Sequence, residues 1–491
     1  MENLLTLAER FGDLRVLVVG EAFLDEWLSG PSHRLSREAP VPIVAVDDRQ
    51  TAPGAAANTA ANAVALGART RFLSVLGDDE DGWKLVAALR ARAVPDDDVL
   101  VEPGRRTVAK RRVLAAGQML TRFDEGDVRP LAKGCEDELL DRLRSLAATA
   151  DVVVLSDYAA GLFTDRVRDG LAEMLAALGV PTVVDARNLL RWAPVRPTAV
   201  TPNFDETLPL LGGAGLDTTG PRRAEVVQTD GERVLEAAGC ALAVVTLDVD
   251  GAVLLERRRP PYRVYTTPAA QTRAAGAGDT FTAAFALALA AGADGPGAVE
   301  VGSAAASVVV RRPGTTVCPG EDLRDVLAHK GDAVLDLGSL TRRVWAHRAA
   351  GRSIVFTNGC FDVLHCGHVA YLNRAKQLGD VLVVGVNSDA SVRRLKGVER
   401  PLNPVEDRAA VLAALSCVDH LVVFEGDTPA DVLEAVRPDV YVKGGDYTPA
   451  MLPETPLVER LGGQVRIVDY VEDRSTTGLI ERIRRTGASA G

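Results

Sequence analysis

The chain has 491 residues, too many for one ordinary hydrophobic core, and at roughly 150 residues per domain it divides into two to four. Hydrophobic residues are 47% and charged residues 25%, which excludes a disordered chain and fits a globular one. With 56 Lys+Arg against 67 Asp+Glu the net charge is -11, so no broad basic surface exists for nucleic acid or an anionic membrane; an anionic ligand must be held locally, by backbone N–H groups and a few cations.

The N-terminus, MENLLTLAERFGDL, carries acids and reads as an amphipathic helix rather than a signal peptide. Cys135, Cys240, Cys318, Cys360, Cys366 and Cys417 are scattered without a C-x-x-C pair, the usage of a reducing compartment. Both features predict a cytoplasmic protein. Val/Leu-rich runs follow at RVLVVG (15–20), DVVVLSD (151–157), PTVVDA (181–186) and LAVVTLD (242–248), with Ala/Leu-rich helical stretches between several of them. That alternation predicts βα units around a sheet buried on both faces. PVPIVAVDDRQTAP (40–53) has strand alternation with no helix directly after it, which suits a small β-flap at the sheet's edge. FTAAFALALAAGA (281–293) is too short and too rich in alanine to span a bilayer and predicts a buried helix.

AAGAGDTFTAAF (274–285) is the sharpest feature of this half. Small residues and two glycines lead straight into a helix, so the backbone N–H groups around Gly276, Ala277 and Gly278 can converge on an anion at the positive helix end. Asp279 sits at the mouth of that hole. A carboxylate there is a poor phosphate ligand but a good general base for a hydroxyl attacking a γ-phosphate. The alternative is an Asp that only caps the helix. PGAAANTAANAVALG (53–67) supplies a second small-residue turn before a helix, where Asn58 can face a polyhydroxyl substrate. TPNFDE (201–206) follows another strand and offers Asn203 and Glu206, spaced to act on a hydrated Mg²⁺.

VVGEAFLDEW, PGAAAN, the N-x-x-E of Asn203–Glu206 and GAGD ending in Asp279 resemble the ribokinase-like (PfkB-type) sugar kinases over about residues 12–325. The resemblance implies a three-layer α/β/α domain with a small β-lid, use of ATP and Mg²⁺, a likeness to enzymes that dimerise through the kinase domain, and Asp279 as catalytic base. It implies Asp25, Gly54 and Asn58 at the sugar, and Asn203, Glu206, Gly276, Ala277 and Gly278 at the nucleotide, with Glu206 reaching Mg²⁺ through water. GPSHRLSREAPVPIV is closer to one branch, the heptose 7-phosphate kinases, which implies sugar-phosphate contacts from Glu38, Lys110 and Arg122. Two departures stand out. The first turn has Ala55 where the family usually has a second glycine, and Arg273, Ala274 and Ala275 replace the usual Asp-x-Thr before GAGD.

A second βα series starts near residue 352: RSIVFTNG, DVLVVGVNSD (380–389), HLVVFEGD (420–427), DVYVKGGD (439–446) and GQVRIVDY (463–470). The stretch 324–351 between the series is polar and glycine-broken, then helical. The expected division is a kinase domain at 1–325, a linker at 326–345 and a second α/β domain at 346–491. FDVLHCGHVAYL (361–372) follows the first strand of the second series. His365 and His368, at i and i+3, share a helix face and can aim at one phosphate chain, while Gly367 allows close backbone approach. Zinc is the rival reading. H-x-x-H is shorter than the spacing of helical zinc peptidases, and no second Cys/His cluster lies downstream. A purely structural role for both histidines is the other alternative. VNSD (386–389), the basic loop RRLKGVERPLNP (393–404), KGGDY (443–447) and RSTTGLI (474–480) all suit phosphate.

TNGCFDVLHCGHVAYL and RSTTGLI resemble the H-x-G-H nucleotidyltransferases, specifically the cytidylyltransferase-like adenylyltransferases, over about residues 350–485. This implies a Rossmann-like α/β domain and in-line attack of a sugar phosphate on the α-phosphate of ATP, with release of pyrophosphate. His365 and His368 would stabilise the transition state. Asn358, Gly359, Phe361, Asp362, Gly367, Asp389, Lys396, Arg400, Lys443, Ser475, Thr476 and Thr477 would surround the nucleotide. In this order the two halves resemble the bifunctional heptose 7-phosphate kinase / heptose 1-phosphate adenylyltransferases, whose steps are joined by a separate phosphatase and yield an ADP-heptose. The alternatives are a first half that only binds sugar phosphate and dimerises, or a different sugar phosphate in both halves.

Overall fold

The Val/Leu runs of the first half all become strands. In the computed structural model, which describes residues 4–115, 118–212, 222–266, 275–329, 334–444, 448 and 451–468, the chain divides at Asp325. The first unit is Thr6–Pro261 with Thr266–Arg324, and the second is Asp325–Gly491 with Met1–Leu5 and Tyr262–Tyr265. The main sheet of the first unit runs Ala252–Glu256, Leu242–Thr246, Ala199–Val200, Thr182–Ala186, Val152–Asp157, Arg15–Gly20, Arg69–Gly77, Val99–Glu102. All these pairings are parallel except the first. Its central strands are apolar on both faces because both are covered. Helices Lys133–Ala147 and Asp165–Leu178 share one core with Leu17, Val19, Val153 and Leu155. Alanine-rich helices Ala56–Ala65 and Ala277–Ala290 cover the other face. Local chemistry sets the ends: Thr164 Oγ1 accepts from Val167 N–H (3.3 Å) before Asp165–Leu178, and Gly179 at φ 63° closes that helix.

The flap is a four-stranded sheet in the order Asp48–Ala55, Ala22–Ser29, Ala109–Ala115, Gln118–Glu125, with a two-stranded ribbon, Arg34–Leu35 and Pro42–Ile43. The expected three-layer domain with a small β-lid is therefore present. Ala55 ends the first of these strands at φ 57°, ψ -135°, a conformation that suits glycine. Such strain costs on the order of 1–3 kcal/mol, against roughly 0.5–1 kcal/mol for the extra chain freedom of glycine. Ala55→Gly is therefore expected to stabilise the unit by about 1 kcal/mol, read as a higher denaturant midpoint with unchanged slope.

The second unit has an all-parallel sheet ordered Val334–Leu335, His420–Phe424, Val381–Asn387, Ile354–Gly359, Val440–Gly444, Gln464–Val468. Strand order reverses beside Ile354–Gly359, and such sheets bind ligands at the carboxyl ends of the strands there. The expected linker at 326–345 is corrected here. Val334–Leu335 joins the sheet, and helix Leu337–Ala349 buries Leu340 and Val344 in its core. His347 Nε2 on that helix lies 3.0 Å from His420 Nε2 on the strand Val334–Leu335 pairs with. The polar surface of 326–345 hid two apolar positions at helical spacing. Among the described residues no helix is long and apolar enough to cross a membrane.

Candidate functional site

In the first unit Gly276 adopts φ 84° and caps helix Ala277–Ala290. A Cβ on it would meet Asn58 Nδ2 at 2.5 Å, so the turn needs glycine for both reasons. The first helical hydrogen bond is Thr280 N–H to Gly276 O (3.1 Å), so the N–H groups of Ala277, Gly278 and Asp279 precede the ladder. Nothing lies within 4 Å of a Cβ built on Gly278. Asp279 is buried. Its Oδ2 accepts from Asn58 Nδ2 at 2.7 Å and its Oδ1 from Tyr158 OH at 2.6 Å. Burial raises its pKa to about 6, against the lowering effect of these two hydrogen bonds. A buried carboxylate raised to about 6, with a donor on each oxygen, has the chemistry to take up a proton near neutral pH.

Asp25 lies in the same cluster. Its Oδ1 accepts from Arg112 Nη1 (2.8 Å) and its Oδ2 from Thr315 Oγ1 (2.9 Å). A Cβ on Gly54 would sit 2.8 Å from Asp25 Oδ2, which explains the glycine. Lys110 Nζ is 4.2 Å from the Phe23 ring centroid and 5.3 Å from that of Tyr158, and burial lowers its pKa. Arg122 forms an ion pair with Asp124, which raises its pKa. Glu38 is exposed in the ribbon turn, where its backbone N–H donates to Ser36 Oγ (3.2 Å); no contact joins it to this cluster among the described residues.

Beside Gly278 opens a cavity of about 250 Å³ lined by Asp157, Tyr158, Asp185, Arg187, Thr201, Asn203, Glu206, Thr246, Phe281 and Thr282. Asn203 and Glu206 form a capping box: Asn203 Oδ1 accepts from Glu206 N–H and Glu206 Oε2 from Asn203 N–H, both at 2.9 Å. Their spacing thus has a local structural use as well. Burial raises the pKa of Glu206, and burial with nearby Asp279 and Glu206 raises that of Asp185. Among the described residues no three His, Cys, Asp or Glu side chains converge as a metal cage. Asp185 and Glu206 at this cavity still fit Mg²⁺, which takes one or two carboxylates together with phosphate oxygens and water. Arg273 and Ala274 lie outside the described residues.

In the second unit Gly359 ends strand Ile354–Gly359, and the Phe361 ring lies 3.1 Å from where its Cβ would be. His365 caps helix Cys366–Lys376, its Nδ1 accepting from Gly367 N–H at 3.2 Å. Neutral His365 then carries its proton on Nε2. The His365 and His368 ring centroids are 4.1 Å apart, and Phe361 meets His368 edge-on at 5.6 Å. Burial, then His365 and Lys396, push the His368 pKa down to about 3, and its Nδ1 is buried with no hydrogen-bond partner among the described residues. Lys443, its pKa lowered by burial, stands over Tyr441, whose hydroxyl donates to Asn358 Oδ1 (2.9 Å).

Three expected nucleotide contacts have other partners. Asp362 is fully buried; its Oδ2 accepts from Arg400 Nη1 (2.5 Å) and its Oδ1 from Leu402 N–H (2.6 Å). Asp362 and Arg400 therefore hold the loop 400–403 to the turn after the strand. Asp389 Oδ1 accepts from Arg408 Nη2 (2.6 Å). Arg408, which the sequence reading missed, is 2% exposed and also donates to Cys360 O and Asn403 O. A buried Arg needs such partners. Its place in a helix, VEDRAAVLA, gave no signal of them. Tyr158, Arg112 and Thr315 were also missed, because their partners Asp279 and Asp25 lie far away in sequence. Ser475, Thr476 and Thr477 lie outside the described residues.

The pfkB family carbohydrate kinase model matches residues 13–322, and the cytidylyltransferase-like model matches residues 356–486. The chain is 38% identical over 488 residues to the "Bifunctional protein HldE" of Geobacter metallireducens, covering 99% of this chain and 98% of the relative. It is 40% identical over 489 residues to that of Mesorhizobium japonicum, covering 98% and 97%. Among solved structures, the Arabidopsis thaliana ribokinase complexed with ribose and ATP superposes with a TM-score of 0.50 at 21% identity, over 64% of this chain and 98% of that one. The Escherichia coli phosphofructokinase-2 in complex with substrates and products gives 0.52 at 21%, with the same coverage. These two neighbours show the fold of the first unit. Family models over both halves and relatives along the whole length lead to one conclusion: the chain belongs to the bifunctional HldE family, enzymes that join a pfkB-type carbohydrate kinase to a cytidylyltransferase-like nucleotidyltransferase.

Proposed function

We propose that the chain makes an ADP-heptose in two active sites. In the first, Asp279 takes the proton of the anomeric hydroxyl of D-glycero-D-manno-heptose 7-phosphate. The hydroxyl oxygen bonds to the γ-phosphorus of ATP, and the bond from that phosphorus to ADP breaks. Asp25 and Asn58 orient sugar hydroxyls, and Lys110 and Arg122 attract the sugar phosphate. The ATP phosphates meet the N–H groups of Ala277 and Gly278 beside the cavity. Asp185 and Glu206 would hold Mg²⁺ there, which when bound neutralises phosphate oxygens. The observation that carries this reading is the buried Asp279 carboxylate at a helix start, with a hydrogen-bond donor on each oxygen and a cavity alongside.

In the second site the 1-phosphate oxygen attacks the α-phosphorus of ATP and pyrophosphate leaves. His365 and His368 stabilise the charge that develops, and Lys396 and Lys443 attract the phosphates. The reading extends to a cytoplasmic homodimer. Met119, Leu120 and Phe123 are exposed on the lid's outer strand, and a second copy of the chain would cover them. The test is incubation with ATP, Mg²⁺ and the heptose 7-phosphate, with a phosphatase added, followed by mass detection of the ADP-sugar. ATP consumption without a nucleotide sugar would overturn the coupled reading.

A further inference from the structure

We infer that Tyr158 is a positioning residue for phosphoryl transfer: its hydroxyl fixes the Asp279 carboxylate opposite Asn58, and Glu21 fixes the loop that carries Tyr158. The inference rests on Asp279 being the kinase base. Tyr158 directly follows strand Val152–Asp157, and Glu21 directly follows the neighbouring strand Arg15–Gly20. Ala159 at φ 59° and Gly161 at φ 92° turn the chain after that strand. The N–H groups of Tyr158, Ala160 and Leu162 thereby converge on the Glu21 carboxylate at 2.8, 3.2 and 3.1 Å. Burial and nearby Asp157 raise the Glu21 pKa to about 7, while these N–H groups favour its ionised form. Asp157 adds a second tie, accepting from Ala159 N–H and from Trp192 Nε1, both at 2.9 Å.

The loop so held sends the phenol to Asp279 Oδ1 at 2.6 Å, while Asn58 takes Oδ2 at 2.7 Å. Donors on both oxygens leave the carboxylate one orientation. Each oxygen keeps capacity for a further hydrogen bond, so the substrate hydroxyl can still reach the base. The Tyr158 ring is itself pinned. It packs edge-on against Phe23 at 5.5 Å, with Lys110 at 5.3 Å and Arg187 at 5.8 Å from its centroid. The other charged groups facing this cluster are Asp25 from the lid and Asp185 and Glu206 from the main-sheet side. A hydrogen bond donated to a carboxylate favours its ionised form. Losing the phenol hydroxyl therefore makes the base easier to protonate as well as looser.

The test is Tyr158→Phe in the full-length protein, with kinase kinetics measured from pH 5 to 9 and thermal unfolding as a check of folding. We expect kcat near neutral pH to fall about tenfold and KM for sugar phosphate and ATP to stay within about twofold. The acid limb of kcat/KM should move up by about one pH unit, with activity partly regained at high pH. Adenylyl transfer from a supplied 1-phosphate should be unchanged. Glu21→Gln, which loosens the loop without touching Asp279, should move the same limb the same way by less. A folded Tyr158→Phe protein whose pH profile superposes on wild type overturns the inference. If Tyr158→Phe does not fold, an unmoved limb in Glu21→Gln does so. Retained kinase activity in Asp279→Asn would instead overturn the assignment of the base.

Discussion

Asp279→Asn is expected to abolish phosphorylation of the heptose 7-phosphate while leaving adenylyl transfer from a supplied 1-phosphate at the wild-type rate. The substitution keeps the side chain's size and keeps an oxygen for the Tyr158 hydroxyl. It removes the carboxylate proposed to take the sugar proton, and it turns one acceptor into a donor that faces Asn58 Nδ2. General-base catalysis contributes on the order of 10²–10⁴ in rate, so kcat should fall by about 10³-fold. The pH dependence follows from the same group. Burial raises the Asp279 pKa to about 6, so wild-type kcat/KM should be full above that value and fall as pH drops through it. That limb should vanish in whatever activity the Asn variant retains. ADP release at pH 5–8 checks both, and a variant within about tenfold of wild type would remove Asp279 from the chemistry.

The second large effect belongs to the imidazole pair. His368→Ala should lower adenylyl transfer by about 10²–10³-fold, the loss typical of one transition-state donor, with kinase turnover unchanged. His365→Ala should do the same but also deletes the helix cap at Gly367, which adds a stability cost of about 0.5–2 kcal/mol. His365→Asn separates the two effects: asparagine caps well yet has no imidazole, so folding should recover and activity should not. In the ligand-free protein burial, His365 and Lys396 keep His368 neutral, with a pKa near about 3. A bound triphosphate opposes the His365 and Lys396 contributions though not the burial, so the His368 pKa should rise when ATP binds. Histidine NMR titrations with and without ATP measure that directly. Stoichiometric zinc that survives dialysis would revive the metal reading of the pair.

Catalytic alternatives fare unequally. A first half that merely binds and dimerises is not supported by relatives that match along the full length under a bifunctional name, nor by a buried carboxylate with two donors on it. Ala55 and the Arg273–Ala275 departure differ in consequence. The Ala55 turn keeps the expected backbone path at the expense of a positive φ, and Ala275 directly precedes the Gly276 cap.

Both glycine-containing loops were legible because each is a local pattern. GAGD and H-x-G-H join strand or turn to helix within a dozen residues, and small residues there report backbone geometry directly. The βα strands were legible for a similar reason, since burial on both faces demands a continuous apolar run. The partners of the polar groups were not. Thr315 reaches Asp25 across 290 positions of sequence and Tyr158 reaches Asp279 across 121. Nothing in TTVC or SDYA announces those meetings. The family resemblance placed Asp362 and Arg400 beside the nucleotide; only the fold pairs them with each other.

The sequence by itself determined two α/β units and the glycine-rich helix starts at which Asp279, His365 and His368 sit, because backbone conformation and apolar periodicity are encoded over a few neighbouring residues. Only the tertiary structure decided which charges are satisfied internally and which remain for a ligand. It assigned Arg408 to Asp389, Arg400 to Asp362 and Tyr158 to Asp279, because the energy of a buried polar group is set by whatever the fold brings within hydrogen-bond distance.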